Sequence, residues 1–549
     1  MLRGDVIQRL ERETFDIAII GGGITGVGIA RDAAMRGLSV ALIEKGDFAS
    51  GTSSRSSRLI HGGLRYLRHR QIGLVREALR ERGILLRLAP HLVRPIPFVL
   101  PVYRDGRDSP LLLRLGLAGY DALAGTLGIG WHRALSPEET LRGEPALRRE
   151  GLRAGVRYFD AITNDARLTV TVAVSALRLG AAAANYVEAI GFEKVGNRIA
   201  GVHYRDLVGG GQGVVRARVV VCAAGPWTDQ VGSLAGRAPL LRPTKGIHIV
   251  VPRARLPVNA VVAFGEGERI IFAIPQGGRT YIGTTDTDYD GDAGAVEAQA
   301  EDVAYLLDAA NATFTTDLAA DDVVATWAGV RPLLRAEGSP SDLSRDYEIL
   351  DGPPGLYTIC GGKLTTYRSM AERLLDHIIE REKSRLSRVP ARCRTGREPL
   401  PGGTTGDFVR YRRGAVAALT EAWGIPQPAA ERLVSAYGSE HTRVLAMAAQ
   451  TSDLLQPLAD GPALAVEAAY GVREEMAVTL EDLLHRRCDL LLFGNSDHAA
   501  LAGEAARVMA RELRWSAKET QQQIAAYLAA ADRMVAFRSE GKASAEAAV

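Results

Sequence analysis

The sequence predicts an α/β protein in which a Rossmann-like nucleotide-binding domain is interleaved with an antiparallel-sheet domain and followed by an all-α C-terminal domain. Three observations lead to this fold class. A glycine-rich turn at 21–26 joins an apolar run to a helical pattern. Short strand patterns with a hairpin turn occupy 245–290. Helical periodicity then continues through almost all of 407–535.

The first element is a βαβ unit over 15–45 that carries a dinucleotide-binding fingerprint. Gly21 permits a tight turn after the first strand, and Gly23 lets the backbone approach a pyrophosphate. Gly26 lets the following helix pack closely on that strand, so that the helix N-terminus points at the pyrophosphate. Glu44 ends the next apolar run and is placed to bind an adenosine ribose. This motif predicts a nucleotide cofactor, but it does not separate NAD from FAD.

The middle of the chain alternates between helical and extended patterns. Residues 71–89 predict an amphipathic helix, and the prolines at 90, 95, 97 and 101 indicate an edge strand with loops. The remaining patterns up to the C-terminal helices predict, in order, a helix at 164–179, a buried strand at 214–223, strands at 247–251, 270–274 and 280–283, a hairpin turn at 276–279, a helix at 298–312, a strand at 356–360, a helix at 364–381 and a linker at 390–406.

The nucleotide-binding pattern therefore recurs around an inserted antiparallel sheet. NAD-binding domains are usually contiguous, whereas interleaving of this kind favours a flavoprotein that binds FAD. The predicted domains are a discontinuous FAD-binding domain at 1–95, 155–235 and 345–390, a substrate-binding domain at 96–154 and 236–344, and a C-terminal helical domain at 395–549.

Composition excludes several classes of function. A formal net charge of +3 over 549 residues does not indicate a nucleic-acid partner. The four cysteines form no CxxC pair, and His, Cys and carboxylate residues show no metal-binding spacing, so no metal is expected. The charged N-terminus lacks an apolar signal segment, and no uncharged apolar stretch reaches 18 residues. We expect an intracellular protein without a transmembrane helix.

A series of segments resembles the FAD-dependent glycerol-3-phosphate dehydrogenases over roughly residues 15–380. The segments are 20–26, 29–34, 51–67, 165–168, 224–227, 245–250, 282–286, 329–333, 344–347 and 361–368. Residues 395–549 resemble that family's C-terminal domain only in length and helical pattern. The resemblance implies a fold similar to the glycine and D-amino-acid oxidases, and oxidation of sn-glycerol 3-phosphate to dihydroxyacetone phosphate with electrons passed to membrane quinone.

The Gly/Ser-rich run 51–57 is either a solvated loop or a cofactor cradle, and the resemblance favours the cradle. The turn 361–363 precedes a helix whose N-terminus would face the flavin C2 carbonyl, where negative charge accumulates on reduction. The predicted cofactor-binding residues are Gly21, Gly23, Gly26, Glu44, Thr52, Ser53, Ser54, Ser57, His61, Gly62, Gly225, Gly361, Gly362, Lys363, Leu364 and Thr365. FAD binding is expected to be non-covalent.

The resemblance also implies a pocket for a dianionic phosphate. Arginine suits such a ligand because its planar guanidinium donates two parallel hydrogen bonds. Arg331 is the principal predicted phosphate ligand, and the residues predicted to assist in substrate binding and catalysis are Arg345, Lys363, Arg65 and Tyr66. In a chain this rich in arginine, the alternative for each cation is an ordinary surface position.

Oxidation of an alcohol by a flavin requires a base that removes the hydroxyl proton. His248, in an alternating strand pattern, is the first candidate, and His61 is the second. The sequence does not rank the two firmly, and His248 could equally be a hydrogen-bonded histidine of the sheet. Asp286 is expected to stabilise a turn beside the pocket.

Two alternatives to a quinone-linked dehydrogenase remain: an oxidase that reduces oxygen at the same site, and a flavin-binding sensor without turnover. Residues 110–131 predict either a core helix or an interfacial helix, with Arg104, Arg107 and Arg133 meeting anionic lipid. The second interpretation places the protein at the inner face of the cytoplasmic membrane as a peripheral protein. A homodimer is possible.

Overall fold

The computed structural model describes residues 3–64, 71–104, 110–265, 270–335, 346–449, 451–494 and 497–539. Four residues named in the sequence analysis, Arg65, Tyr66, Arg107 and Arg345, lie outside the described residues.

The strands are, in chain order, β1 (Thr14–Ile20), β2 (Val40–Ile43), β3 (Leu59–Ile60), β4 (Arg94–Tyr103), β5 (Arg133–Leu135), β6 (Leu152–Ile162), β7 (Ala182–Ala184), β8 (Val187–Val195), β9 (Arg198–Asp206), β10 (Gln212–Cys222), β11 (Leu241–Pro252), β12 (Val261–Phe264), β13 (Ile271–Gln276), β14 (Arg279–Gly283), β15 (Thr287–Asp288), β16 (Ala325–Leu334), β17 (Tyr347–Asp351) and β18 (Leu356–Gly361).

The α-helices are α1 (Arg3–Arg12), α2 (Ile24–Met35), α3 (Ile72–Leu88), α4 (Pro110–Ala124), α5 (Pro137–Gly143), α6 (Asp165–Arg178), α7 (Thr228–Ser233), α8 (Ala300–Thr313), α9 (Tyr367–Glu382), α10 (Phe408–Trp423), α11 (Gln427–Tyr437), α12 (His441–Ala446), α13 (Ala465–Glu475), α14 (Leu490–Phe493), α15 (His498–Leu513) and α16 (Ala517–Arg533). A π-helical segment spans Asp482–Arg487.

One sheet has a parallel centre in the order β18-β10-β1-β2-β7, with β17 antiparallel at one edge and the β8-β9 hairpin attached to the first half of β10. The central strands β1 and β2 are almost wholly buried, and α2 packs against both α6 and α9 beside them. The carboxyl ends of β1, β10 and β18 therefore meet at one edge, which is where doubly wound sheets bind ligands.

Local sequence signals set the boundaries of the helices around this sheet. Helix α2 ends at Met35, and Gly37, with a φ of +84°, follows its C-terminus and donates its N–H to the carbonyl of Ala34. Helix α6 begins after Asn164, whose side chain accepts a hydrogen bond from the N–H of Arg167 at 2.9 Å.

The second sheet runs in the order β15-β11-β14-β13-β12-β4-β6-β3, with β16 paired to β11 and β5 paired to β6. The neighbours along β11-β14-β13-β12 are antiparallel. The expectation that the proline-rich strand lies at an edge was wrong, since β4 lies between β6 and β12. Its pairing with β12 involves only Phe98 and Val99, so the N–H groups that the prolines lack are not required there.

Helices α10–α16 follow the linker and form a helical unit whose apolar residues share one core with α3, α4 and part of the second sheet. The predicted fold class is confirmed by this arrangement of two sheets and C-terminal helices. The exact domain boundaries stay predictions. No helix within the described ranges is both long enough and apolar enough to cross a bilayer.

Candidate active site

The nucleotide-binding turn has the close backbone packing that its glycines predict. Gly21 has a φ of +115°, and a Cβ atom there would overlap the carbonyl of Ala223. A Cβ on Gly26 would overlap the carbonyl oxygen of Gly21. Gly23, in contrast, has only the hydroxyl of Ser53 nearby, at 3.2 Å from its ideal Cβ position. Gly21 and Gly26 are therefore required by the fold, while Gly23 leaves space in front of the helix N-terminus.

Glu44 lies at the carboxyl end of β2, beside this turn. Its two carboxylate oxygens accept hydrogen bonds from the N–H groups of Gly22 at 2.6 Å and Gly46 at 2.7 Å. Burial raises the pKa of this carboxyl group, and the two backbone donors oppose that effect. A carboxylate offers about four lone-pair sites, so Glu44 can still accept hydrogen bonds from a ribose.

The predicted cradle, 51–57, begins as a short 3-10 turn held between the two sheets. The hydroxyl of Thr52 donates to the carbonyl of Val330 at 2.6 Å. The hydroxyl of Ser53 accepts from the N–H of Ile24, the first residue of α2, at 2.9 Å. Thr52 and Ser53 thus connect the second sheet, through β16, with helix α2 of the nucleotide-binding unit.

The other two predicted cradle hydroxyls face different surroundings. Ser54 is buried, and its hydroxyl donates within the loop to Gly51 O at 3.4 Å. Ser57 Oγ lies 2.8 Å from Nε2 of His248, so this residue, predicted to contact the cofactor, contacts the candidate base. The loop therefore connects the cofactor motif to the catalytic candidate.

A cavity of about 280 Å³ lies where this loop meets the second sheet and the turn after β18. Its lining includes both candidate bases and two of the predicted substrate ligands. These lining residues are His61, His248, Arg331 and Lys363, accompanied by Thr52, Ser57, Thr284, Asp286, Gly362, Leu364 and Thr365. The structure thus brings together all predicted catalytic residues that it describes.

His248 occupies the centre of β11, opposite Gly283 on one side and Trp327 on the other. A Cβ at Gly283 would overlap the imidazole, so the glycine creates the space that the ring fills. Trp327 stacks on the ring with centroids 4.5 Å apart and planes 9° apart. Nδ1 is buried without a hydrogen-bond partner among the described residues.

The charge state of His248 follows from these surroundings. Burial lowers its pKa well below the ordinary value, and the positive charges of Arg331 and Arg58 lower the pKa further. His248 is therefore neutral around pH 7 and able to accept a proton, as a general base must be.

Arg331 lies on β16 directly beside the cavity, half-buried. Its guanidinium donates to Asp286 at 3.1 Å, to the hydroxyl of Thr284 at 3.0 Å and to the carbonyl of Thr285 at 3.1 Å. A Cβ at Gly246 on the neighbouring strand would overlap the guanidinium. Asp286 lies beside the pocket as expected, where its carboxylate orients Arg331.

The turn after β18 carries the remaining predicted cofactor contacts. Gly361 and Gly362 have φ values of +80° and +85°, and Lys363 is the extended residue that precedes the helical turn leading into α9. The N–H of His61 donates to the hydroxyl of Thr365 at 3.2 Å, which joins this turn to the 61–62 segment. Gly225, also at positive φ, lies at the carboxyl end of β10.

These observations fit an extended dinucleotide. The glycine turn, Glu44, the cradle and the turn at 361–365 follow the carboxyl edge of the parallel sheet, and the buried Nε1–H of Trp227 at this edge has no hydrogen-bond partner in the described part of the chain. The described residues contain no group of three or more His, Cys, Asp or Glu side chains that could hold a metal ion.

The fold and the site define a flavin-dependent oxidoreductase. Residues 16–368 match the family model described as FAD dependent oxidoreductase, and residues 393–520 match the model described as the C-terminal domain of alpha-glycerophosphate oxidase. FAD is the cofactor of this family. The C-terminal match extends the family relationship to the helical region, where sequence alone offered only length and pattern.

More particularly, the chain belongs to the FAD-dependent glycerol-3-phosphate dehydrogenase family. It is 40% identical over 504 residues to an aerobic glycerol-3-phosphate dehydrogenase of Staphylococcus haemolyticus, which covers 90% of each chain. It is 39% identical over 543 residues to glycerol-3-phosphate dehydrogenase 2 of Mycobacterium tuberculosis, covering 97% of this chain and 91% of that protein. The crystal structure of the Bacillus halodurans glycerol-3-phosphate dehydrogenase complexed with FAD superposes with a TM-score of 0.81 at 32% identity, covering 97% and 98% of the two chains.

Sequence reasoning missed three features of the site. Trp327 stacks on the candidate base, Gly246 and Gly283 make room for Arg331 and His248, and Arg58 places a buried positive charge near His248. Gly246 and Gly283 could have been recognised from the sequence, because a glycine in a strand often marks a position where another group approaches the backbone closely. The roles of Trp327 and Arg58 depend on contacts between distant segments and had no sequence signal.

Proposed function

We propose that this protein oxidises sn-glycerol 3-phosphate to dihydroxyacetone phosphate by hydride transfer to FAD and passes the electrons to a membrane quinone. The observation that carries the proposal is the single cavity that joins a neutral buried histidine, a partly exposed arginine and a lysine at the edge of the predicted flavin site. The names of the relatives and of the Bacillus halodurans structure support the same substrate.

In this proposal the residues bind and orient a small dianionic alcohol. Arg331 and Lys363, with Arg345, Arg65 and Tyr66 as further predicted ligands, bind the phosphate. Asp286 and Thr284 accept hydrogen bonds from the Arg331 guanidinium and so orient it before the substrate binds. His248 then removes the hydroxyl proton while Ser57 holds its Nε2 edge. Bound FAD supplies the acceptor for the hydride that leaves C2.

The direct test is an anaerobic reduction of the purified yellow protein. Adding sn-glycerol 3-phosphate should bleach the flavin absorbance within the turnover time, whereas glycerol and the sn-1 enantiomer should bleach it far more slowly. A flavin that stays oxidised with the phosphate ester, but is reduced by another alcohol or amine, would refute the proposed substrate.

Quinone is the proposed acceptor because a large part of the cavity lining is apolar. The apolar lining residues are Leu59, Leu64, Leu100, Tyr158, Ala263, Ile270 and Phe272. Oxygen is the alternative acceptor, since the C-terminal family model is described from an oxidase. Reoxidation of the reduced enzyme by a soluble quinone at least about tenfold faster than by air-saturated buffer would support quinone, and the reverse order would support an oxidase.

We also propose peripheral attachment to the inner face of the cytoplasmic membrane through the region around α4. One face of this helix packs into the core through Leu113, Leu117, Tyr120 and Ala124, as the core interpretation expects. The opposite face is solvent-exposed and carries Leu115, and Trp131 follows it at 73% exposure. Of the expected lipid-binding cations, Arg104 is exposed and Arg133 pairs with Glu139 at 2.5 Å.

A further inference from the structure

The C-terminal domain holds both ends of the loop that carries the predicted cradle, here called loop 47–58. At one end, the buried carboxylate of Asp47 accepts hydrogen bonds from Arg486 Nε at 2.6 Å and from Arg487 Nη2 at 2.8 Å. At the other end, the guanidinium of Arg58 donates two parallel hydrogen bonds to Asp489, at 2.7 and 2.8 Å. Three residues within 486–489 therefore hold loop 47–58 at both of its ends.

At the Arg58–Asp489 ion pair, both residues have an unusual backbone conformation. Arg58 has a φ of +58° and Asp489 a φ of +56°, values that non-glycine residues rarely adopt. Such conformations persist only where several contacts determine them, and they are concentrated at functional sites. Arg58 has these contacts: its N–H donates to Ser56 Oγ at 3.0 Å, and its carbonyl accepts from Thr163 N at 2.8 Å.

The Arg58 turn leads directly to the candidate base. Its neighbour Ser57 contacts His248 through Oγ, and the carbonyl of Ser57 accepts a hydrogen bond from Tyr281 at 3.2 Å. The Arg58 guanidinium lies over Phe493, 4.7 Å from the ring centroid, and 5.8 Å from the centroid of Trp327, the ring that stacks on His248. Displacement of Arg58 would therefore move the hydrogen-bond partner and the stacking partner of the same imidazole.

The Arg58–Asp489 pair also acts on His248 through its charges. Arg331 and Arg58 act on the histidine as cations, Ser57 Oγ lies 2.8 Å from its Nε2, and the Tyr281 ring centroid lies 6.2 Å from that of the imidazole. Asp286 compensates Arg331. Asp489 compensates Arg58, together with Asp165 at 3.8 Å, while Lys363 and His61 line the cavity further along.

We propose that residues 486–489 of the C-terminal domain position His248 for proton transfer by holding loop 47–58 at both ends, with Asp489 and Arg58 as the decisive pair. The inference rests on the proposed function of His248 as the base. It gives the helical domain a part in catalysis, although no residue of that domain is proposed to touch substrate.

The first test compares Asp489→Asn with Glu475→Gln in the full-length, FAD-loaded enzyme. Glu475 accepts from Arg167 at 2.8 Å in another buried pair that joins the C-terminal domain to the nucleotide-binding domain, so its variant is a matched control for loss of such a pair. Asp489→Asn leaves Arg58 less compensated, which lowers the pKa of His248 further. We expect the acidic limb of the pH profile of kcat/KM to move to lower pH by about half a unit or more, kcat to fall roughly tenfold or more, and FAD to dissociate faster than from Glu475→Gln.

Asp489→Asn could unfold the protein by leaving the buried Arg58 without its full counter-charge, so a second variant controls for this effect. Arg58→Met with Asp489→Leu removes both charges and keeps apolar volume. Because the cation facing His248 is gone, the acidic limb should move in the opposite direction, to higher pH. Asp489→Glu keeps the charge and should leave the limb close to its wild-type position.

Shifts of opposite sign, with Glu475→Gln unchanged, support the proposal. A limb that stays in place both in Asp489→Asn and in the double variant Arg58→Met with Asp489→Leu overturns it, and so does a double variant that fails to fold while Glu475→Gln folds, because the pair would then only join domains. If His248→Asn leaves the limb unchanged, the proposed base is wrong. Faster FAD release from Asp489→Asn than from Glu475→Gln would still support positioning of the loop, and equal release rates would refute it.

Discussion

The nucleotide-binding turn and the substrate-side cavity are built in different ways. The glycines of the turn, Gly21, Gly23 and Gly26, come from one short stretch, and each leaves out a Cβ where the surroundings or the cofactor need the space, although the carbonyl that Gly21 accommodates belongs to the distant Ala223. The cavity comes from separate segments of the chain, which supply Ser57, His248 and Arg331. The first region depends on local sterics and the second on strand register, so substitutions should damage them differently.

The largest effect is expected in the nucleotide-binding turn. Gly23→Val should yield a folded but colourless protein, because a Cβ at this position would meet only the Ser53 hydroxyl of the protein, while the added side chain fills the space for the pyrophosphate. Absorbance near 450 nm and far-UV circular dichroism measure the two properties separately.

Gly26→Val is the matched comparison, since its Cβ would overlap the backbone of Gly21. We expect this variant to be insoluble or strongly destabilised. Full flavin content in Gly23→Val, or a normal fold in Gly26→Val, would show that the turn does not work as described.

On the cavity side, His248→Asn should have the next largest effect. It should lower kcat by roughly 10²–10⁴-fold and remove the acidic limb of the pH profile, because the neutral buried imidazole accepts the proton. FAD content should remain normal. An unchanged profile would transfer the role to His61 or to a neighbouring basic residue.

Arg331→Ala should weaken transition-state binding of the phosphate ester by about 2–4 kcal/mol, roughly 30- to 1000-fold in kcat/KM, through loss of a charge-assisted contact. The activity with unphosphorylated glycerol should change much less. Arg335→Ala is the control, because Arg335 is an exposed arginine on the same segment that bonds to the carbonyl of Leu241. Equal losses with both substrates would contradict the phosphate role.

The free energy of unfolding should depend on pH through a histidine buried between the nucleotide-binding domain and the C-terminal helices. Burial lowers the pKa of His91 to about 3 from its ordinary value of 6.5, with a further contribution from Arg167. Below pH 6.5 the unfolded chain binds a proton that the folded chain does not bind until about pH 3. The free energy of unfolding should therefore fall by about 1.4 kcal/mol per pH unit across this window as the pH decreases.

Urea titrations of the wild type and His91→Gln between pH 7 and 4 measure this contribution, which the variant should lack. Parallel slopes for wild type and His91→Gln would mean that His91 does not carry the effect.

The smallest effect on stability is expected at the outer face of α4. Leu115 is 63% exposed, so Leu115→Asp should change the free energy of unfolding by no more than about 0.5 kcal/mol. It should nevertheless reduce sedimentation with anionic vesicles. Val195→Asp, at a 68% exposed position on the β8-β9 hairpin, should leave sedimentation unchanged. If Leu115→Asp sediments like the wild type, α4 is not the attachment surface.

Much of the architecture was predictable because its signals are local. The glycine fingerprint, the stop at Gly37 and the cap at Asn164 each depend on a few neighbouring residues. The periodicities likewise predicted α3, β10, β14 and α9 to within a few residues. The proline-rich strand was misplaced, since whether a strand lies at an edge depends on partners that come much later in the chain.

The sequence by itself determined the fold class and the cofactor motif, since backbone sterics and residue chemistry act at short range. It also offered two candidate bases, His248 and His61, and the resemblance added Arg331 as the candidate phosphate ligand. Only the tertiary structure decided that His248 fills the space over Gly283 under Trp327 and that Ser57 contacts it. It alone also paired Arg58 with Asp489, 431 positions further along the chain. Such contacts depend on strand register and on burial of opposite charges between domains, and neither is encoded within a short stretch of sequence.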